Sequence, residues 1–400
     1  MNDPALGLAA IILAAVASQM LAAALRIPAI IPLLIAGVVL GPSVLDLFNA
    51  HALLGDLLDP FVALAVGAIL FDGALTLRRE QLDEGVGAVV ARLVTLGVGL
   101  TWALIAGAAL LLLGIDHRIA ILLAAILTLS GPTVVIPLLD FVRPTPHVDS
   151  ILRWEGILVD PIGAILAVVV YHAIFSGGGG IDAAEFAATI GVGALIGLAG
   201  SAVLLFLLSE RRFTSHLEAT AVLAVVLFGV AGASALRDDG GLVTAIVMGL
   251  TLAHRRRELV ERAPEFSETL VNLLLGVLFV VLSSRVEPSA VADLGVGGLA
   301  FVAVLILLIR PFSALVCTLR TQTTTGERSL IAWMMPRGIV AAATASTFQF
   351  GLREAGVPDA GVLVPATFLV IAVTVVVYGF TARPVALALG VAEPSATVRQ

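Results

Sequence analysis

Two carboxylates stand where a lipid-facing helix could hardly tolerate them. The run Ile151 to Tyr171, ILRWEGILVDPIGAILAVVVY, is apolar apart from its first turns and carries Glu155 and Asp160. If a helix enters a membrane near Ser150, its rise of about 1.5 Å per residue puts Asp160 roughly 15 Å in, close to the midplane of a hydrocarbon core about 30 Å thick. An ionisable side chain at that depth is costly and marks a functional site. Burial in low dielectric disfavours the charged carboxylate, so the group can hold a proton near neutral pH. Once the proton leaves, the same carboxylate is a hard oxygen ligand for a small cation. Competition of proton and cation for one acid is sufficient for exchange, provided the site faces the two sides in turn. The alternative for Asp160 is an acid satisfied by backbone N–H groups freed nearby.

Such groups are predicted just upstream, where Ser130-Gly131-Pro132-Thr133 and then Pro137 interrupt another apolar run, as in a discontinuous membrane helix. Ser130 and Thr133 fall in the break, and unwinding there exposes carbonyls such as those of Thr128 and Leu129 that would complete a cation's oxygen shell. The competing role for these hydroxyls is a bond back to their own helix. A second interruption, Met335-Pro336-Arg337-Gly338, lies in a later run. Glu155 is five residues before Asp160, about 140° round a helix, so it faces other neighbours. Its expected partner is Arg337, the only basic residue at the second break, in a structural ion pair whose loss leaves an uncompensated charge. Asp72, in FDGAL, lies near the cytoplasmic end of its run, where it lines an access funnel, extends the ligand set or merely sits beside Arg78 and Arg79. Arg310-Pro311 carries no assignment, and His172, Asn272, Arg285 and Glu287 read as helix-end or packing residues.

The elements that must hold these residues are membrane helices. Of 400 residues, 60% are hydrophobic and only 13% charged, with a mean hydropathy of +1.10, far from a soluble domain. The net charge of −7 therefore describes loops and says little about partners. Apolar segments at 5–25, 28–48, 60–77, 86–114, 118–140, 150–175, 184–208, 216–236, 240–254, 265–284, 290–319, 328–351 and 360–382 predict an all-α polytopic protein of about thirteen spans. Loops after odd spans and the tail hold Arg26, Arg78, Arg79, Arg143, Arg211, Arg212, Arg255, Arg256, Arg257, Arg262, Arg320, Arg328, Arg383 and Arg399, against Arg118, Arg237, Arg285 and Arg353 after even spans. That bias puts the N-terminus outside and the C-terminus in the cytoplasm. The two breaks fall in spans five and twelve, an odd number of crossings apart and hence antiparallel, as expected of an inverted repeat with its site at the midplane. The start, Met1-Asn2-Asp3-Pro4, lacks a basic signal-peptide region, so the first run is expected to remain as a span. Loop 176–180, Ser then four Gly, reads as a flexible external linker, and the chain divides into a membrane domain, 1–384, and a short cytoplasmic tail, 385–400. Cys317 is the single cysteine, and no Cys and His cluster has zinc spacing, so no cofactor is expected.

Three stretches carry a resemblance. LTLSGPTVVIPLL, WEGILVDPIGAIL and MMPRGIVAAATA, in that order and spacing, resemble the broken-helix, acidic-helix and arginine motifs of the cation:proton antiporter family, in its monovalent NhaP-like branch related to animal sodium/proton exchangers. FDGALTL resembles that branch's phenylalanine-acid-glycine segment. The resemblance implies a thirteen-helix fold with an inverted repeat, a homodimer in the inner membrane, and a mobile core that includes spans five, six, twelve and thirteen and moves against a dimerisation domain. It makes Asp160 the cation- and proton-binding acid, Ser130 a hydroxyl ligand, Glu155 with Arg337 the core ion pair, and Asp72 the counterpart of a family glutamate. Val159, Gly131 and Gly156 stand where the branch commonly has Asn, Asp and Ser, so part of the coordination shell must come from backbone, water or other side chains.

The function expected is exchange of Na+, with K+ as the alternative, for H+ by alternating access. With one binding acid in place of two, the resemblance favours electroneutral exchange. The partners are then monovalent cations, protons and the bilayer, with no nucleic acid. A cation channel is the rival from another class, though twin broken helices suit a rocking site better. An intramembrane aspartic hydrolase would need a second free acid, and Glu155 is committed. An organic-anion transporter would need Arg337 to be free.

Overall fold

The computed structural model describes residues 4–25, 27–49, 53–77, 84–175, 183–208, 215–237, 240–255 and 264–392. Arg26, Arg78, Arg79, Arg211, Arg212, Arg256, Arg257, Arg262, Arg399, the 176–180 loop and the end of the tail lie outside them. Helices make up the described chain: α1 (Pro4–Leu25), α2 (Ile30–Leu40) and α3 (Leu58–Thr76), then α4, in which Glu84–Arg92 passes through a π-helical turn, Leu93–Gly97, into Val98–Leu113. The fifth crossing is split into α5a (His117–Thr128) and α5b (Pro132–Val142). After it come α6 (Pro146–Phe175), α7 (Ala183–Leu207), α8 (Ser215–Leu236), α9 (Gly240–Arg255) and α10 (Pro264–Ser283). In α11, Gly295–Val304 passes through a second π turn, Leu305–Ile309, into Arg310–Thr318. The twelfth crossing is split into α12a (Thr325–Trp333) and α12b (Ile339–Glu354), and α13 (Leu363–Ala388) is the last.

Among the described residues, thirteen helical segments, two of them split, therefore stand where the hydropathy pattern places spans. Seven helices are long and apolar enough to cross a membrane alone, and five shorter apolar ones accompany them. The second crossing departs most from expectation: the 28–48 run is helical only over Ile30–Leu40, and turns follow it. Eleven residues rise about 16 Å, too little to span lipid unaided. The short helix is instead packed against α1, α10 and α13.

Local chemistry sets the breaks and ends. Gly131 adopts φ +59°, a left-handed conformation open to glycine at little cost, and Pro132 then starts α5b at a position where its missing N–H is no loss. Thr324 and Glu327 form a reciprocal capping box that starts α12a. Asp116 caps α5a by accepting from the Arg118 N–H.

The helices form two groups. In one, α4, α5, α6, α11, α12 and α13 pack around the two breaks, and in the other α1, α2 and α10 join α3, α7, α8 and α9. The first group shows the inverted repeat directly. Crossings four to six and eleven to thirteen each consist of a helix with a π turn, a split helix and a long helix with an internal proline, Pro161 or Pro384.

Candidate functional site

The two breaks cross at glycine. A Cβ on Gly131 would overlap the Cα of Gly338, and one on Gly338 would overlap that of Gly131, so backbone meets backbone with no side chain between. Four half-helix ends are thus brought to one place in the interior.

Helix α6 lies along this crossing. Ser130 Oγ donates to the Gly156 carbonyl at 3.1 Å. A Cβ on Gly163 would lie 2.9 Å from Leu129 Cδ1 and 3.2 Å from the Leu129 nitrogen. Gly156, Asp160 and Gly163 are spaced four and three residues apart, which is one face of a helix. Asp160 therefore faces the break of the fifth crossing, and its side chain is fully buried. Pro161, next in sequence, lacks the N–H that the Ile157 carbonyl would accept, which loosens α6 beside the acid.

The ion pair differs from expectation. Glu155 is held by Arg310 and not by Arg337: Arg310 Nη1 donates to Oε1 at 2.6 Å and Nη2 to Oε2 at 2.9 Å, with the two side chains 2% and 5% exposed. Arg310 also donates from Nε to the Ile331 carbonyl at 3.0 Å. It is the first residue after the π turn of α11, which sets the direction of its side chain into the core. Sequence reasoning left it unassigned, yet a guanidinium inside the apolar 290–319 run was itself the signal, because at that depth it requires a carboxylate.

Arg337 has another task. Its Nη1 donates to the Thr128 and Leu129 carbonyls, both at 3.1 Å, and its backbone N–H to Thr374 Oγ1 at 3.4 Å. These are carbonyls at the carboxyl end of α5a, where unpaired oxygens and the negative end of the helix dipole favour a cation. They were expected to be free for a transported ion and are instead capped by the protein's own guanidinium. Arg337 is thus unpaired with Glu155 and engaged through Nη1, while its buried Nε and Nη2 have no hydrogen-bond partner.

The remaining expected residues are placed as follows. Thr133 belongs to α5b, and its side chain lies outside the described ones. Asp72 is half-buried on α3 next to Gly73, where a Cβ would lie 3.2 Å from Ile136 Cδ1 of α5b and 3.5 Å from Ile157 Cδ1 of α6. Among the described residues, no group of three His, Cys, Asp or Glu side chains converges as a metal-ion site would require. Outside the spans, the Arg118 side chain hydrogen-bonded to Asp116 holds that carboxyl below its usual range.

Comparison with known proteins agrees with this fold. The solved structure of the sodium proton antiporter MjNhaP1 from Methanocaldococcus jannaschii at pH 8 superposes with a TM-score of 0.82 over 96% of this chain and 97% of that one, at 23% identity, and so shares the fold. In sequence, the chain is 25% identical over 342 residues to the K(+)/H(+) antiporter NhaP of Alkalimonas amylolytica, covering 82% of this chain and 58% of that protein. It is 26% identical over 368 residues to Na(+)/H(+) antiporter 1 of Methanocaldococcus jannaschii, covering 86% and 82%. The chain spans just over half the length of the first of these curated relatives. Residues 8–388 match the family described as sodium/hydrogen exchanger, transmembrane, and the chain belongs to that family.

Proposed function

We propose that this multi-pass membrane protein exchanges a monovalent cation for H+ by presenting Asp160 alternately to the two sides of the membrane. The observation that carries the reading is a fully buried acid facing a broken helix at the crossing of an inverted repeat. Family membership and relatives named for Na+/H+ and K+/H+ antiport support it. Ser130 assists at the break, and Asp72 and Thr133 belong to the approach. The chain's own groups supply all the chemistry, so no cofactor is needed, and the role is transport and not catalysis.

The buried charges favour electroneutral exchange. Among the described residues the buried charged side chains are Glu155, Asp160, Arg310 and Arg337, a set that is neutral when Asp160 is ionised. A proton or one alkali cation on Asp160 then gives the same total, so the two loaded forms differ by no charge. We place the protein in the inner membrane as a homodimer, with its N-terminus outside and its C-terminus in the cytoplasm.

The test is dequenching of a pH dye in proteoliposomes on addition of Na+, K+ or Li+. Wild type is expected to respond and Asp160→Asn to fall to the protein-free background while remaining folded. A mutant that exchanges at the normal rate would refute the reading. A membrane potential generated during exchange under otherwise symmetric conditions would refute electroneutrality alone.

A further inference from the structure

We propose that a recess at the ends of α2 and α10 binds the ethanolamine headgroup of a phospholipid. The inference is independent of the exchange reading and needs only that the chain be embedded in lipid. The recess, about 580 Å³, is lined by Ser43 and Asn49 from the turns after α2 and by Ser284, Arg285, Glu287 and Ser289 from the segment after α10. That volume is in the range of small-molecule sites. Its walls are fixed to each other. A Cβ on Gly41 would lie 2.8 Å from the Ser284 carbonyl oxygen and 2.9 Å from its Cα, and Ser43 Oγ donates to the Val286 carbonyl at 2.8 Å.

The recess stands where lipid headgroups meet acyl chains. The apolar run of α10 ends at Ser283, and Ser284, Arg285 and Glu287 follow it, as at the edge of a hydrocarbon core. The turns after α2 fold back on its last residues, with Leu45 N–H donating to the Val39 carbonyl and Leu47 N–H to the Leu40 carbonyl, both at 3.0 Å. They leave Val44, Leu45 and Leu47 exposed beside Ser43, an apolar rim suited to acyl chains.

Charge selects the headgroup. Half-buried Arg285 and exposed Glu287 are two residues apart, yet their side chains make no hydrogen bond or ion pair with each other or with another described side chain. A ligand that uses both is zwitterionic. Its phosphate suits the planar guanidinium fork of Arg285, and a primary ammonium has three N–H groups to donate to the Glu287 carboxylate and to the serine and asparagine oxygens. Choline has no N–H and favours aromatic faces, and none of the described lining residues is aromatic. A phosphatidylglycerol headgroup offers no cation to Glu287 and brings a second negative charge near it.

The experiment titrates dioleoyl phosphatidylethanolamine, phosphatidylcholine and phosphatidylglycerol into the delipidated full chain in detergent. Bound lipid is read by native mass spectrometry for wild type, Arg285→Gln and Glu287→Gln. Wild type should hold the ethanolamine lipid at least about fivefold more tightly than either of the others. Glu287→Gln should bring the three lipids within about twofold of one another, and Arg285→Gln should weaken all three by about fivefold or more. The wild-type ranking decides the matter even where a variant fails to fold. Equal affinities in wild type, or an unchanged preference in Glu287→Gln, would overturn the proposal. A dimer that binds none of the three lipids would overturn it too, by assigning the recess to a second copy of the chain.

Discussion

Glu155 and Arg310 make a two-point charge-assisted contact in which each oxygen has its own donor, and neither side chain can turn to water. Removing one member strands the other, so Glu155→Gln or Arg310→Met is expected to cost about 3–5 kcal/mol, read as a fall in melting temperature in detergent. Replacing both with apolar residues of similar volume should recover much of the loss, because the desolvation of two ions disappears along with their attraction. Arg337→Met should be milder, about 1–3 kcal/mol, since it leaves neutral carbonyls uncapped and strands no charge. If Arg337→Met proved more damaging than Glu155→Gln, the partner assignment would be wrong. The two acids were legible in the sequence, because a carboxylate in an apolar run has few innocent explanations. The choice between two arginines was not. Arg337 sits beside a visible Pro-Gly break and Arg310 does not, but pairing is decided by how α4 and α12a, each packed against both α6 and α11, hold those two helices, and by a π turn that leaves no mark in composition.

At the scale of elements, the crossing of the split helices depends on two residues with no side chain. Gly131→Ala must fit a Cβ into the opposing backbone and also strains a φ of +59°. Loss of a monodisperse protein is expected, and the same for Gly338→Ala. Gly99→Ala, in the open on α4, is the control and should be neutral or stabilising by up to about 1 kcal/mol. Comparable gel-filtration profiles for Gly131→Ala and wild type would contradict the close approach. The cap of α5a makes a pH prediction. Arg118 lowers the Asp116 carboxyl below its usual value, so its contribution is present above the unfolded-state value and is lost as pH falls through the folded-state one. The difference in melting temperature between wild type and Asp116→Ala should therefore vanish in acid and be full at neutral pH. Both breaks were readable, since Pro and Gly interrupt apolar runs for a stated physical reason. The carbonyl ends they expose were readable too, but not that Arg337 would occupy them, because that contact joins residues about two hundred positions apart.

Over the whole molecule, the two helix groups meet along seams, one of them where a Cβ on Gly379 of α13 would lie 2.9 Å from Ile31 Cδ1 of α2. If the group bearing Asp160 moves against the other, a bridge across this seam stops transport. Since Cys317 is the single cysteine, Cys317→Ser gives a clean background for Ile31→Cys with Gly379→Cys. A short thiol cross-linker should abolish dequenching and a reductant should restore it, whereas unchanged exchange after bridging would argue against motion here. The number of crossings could be read from hydropathy and arginine placement, because lipid imposes both. The grouping of helices could not, since lateral packing inside a bilayer depends on shape more than on hydrophobic pattern. The contact of Gly131 with Gly338 bears on how such motion must proceed. Two strands of main chain touching at one point leave no slack for either break to swing open on its own. If the protein exchanges ions as proposed, it is then better pictured as a cart than as a door: the crossed helices and their acid would travel together, and the surrounding wall would decide which side the load can reach.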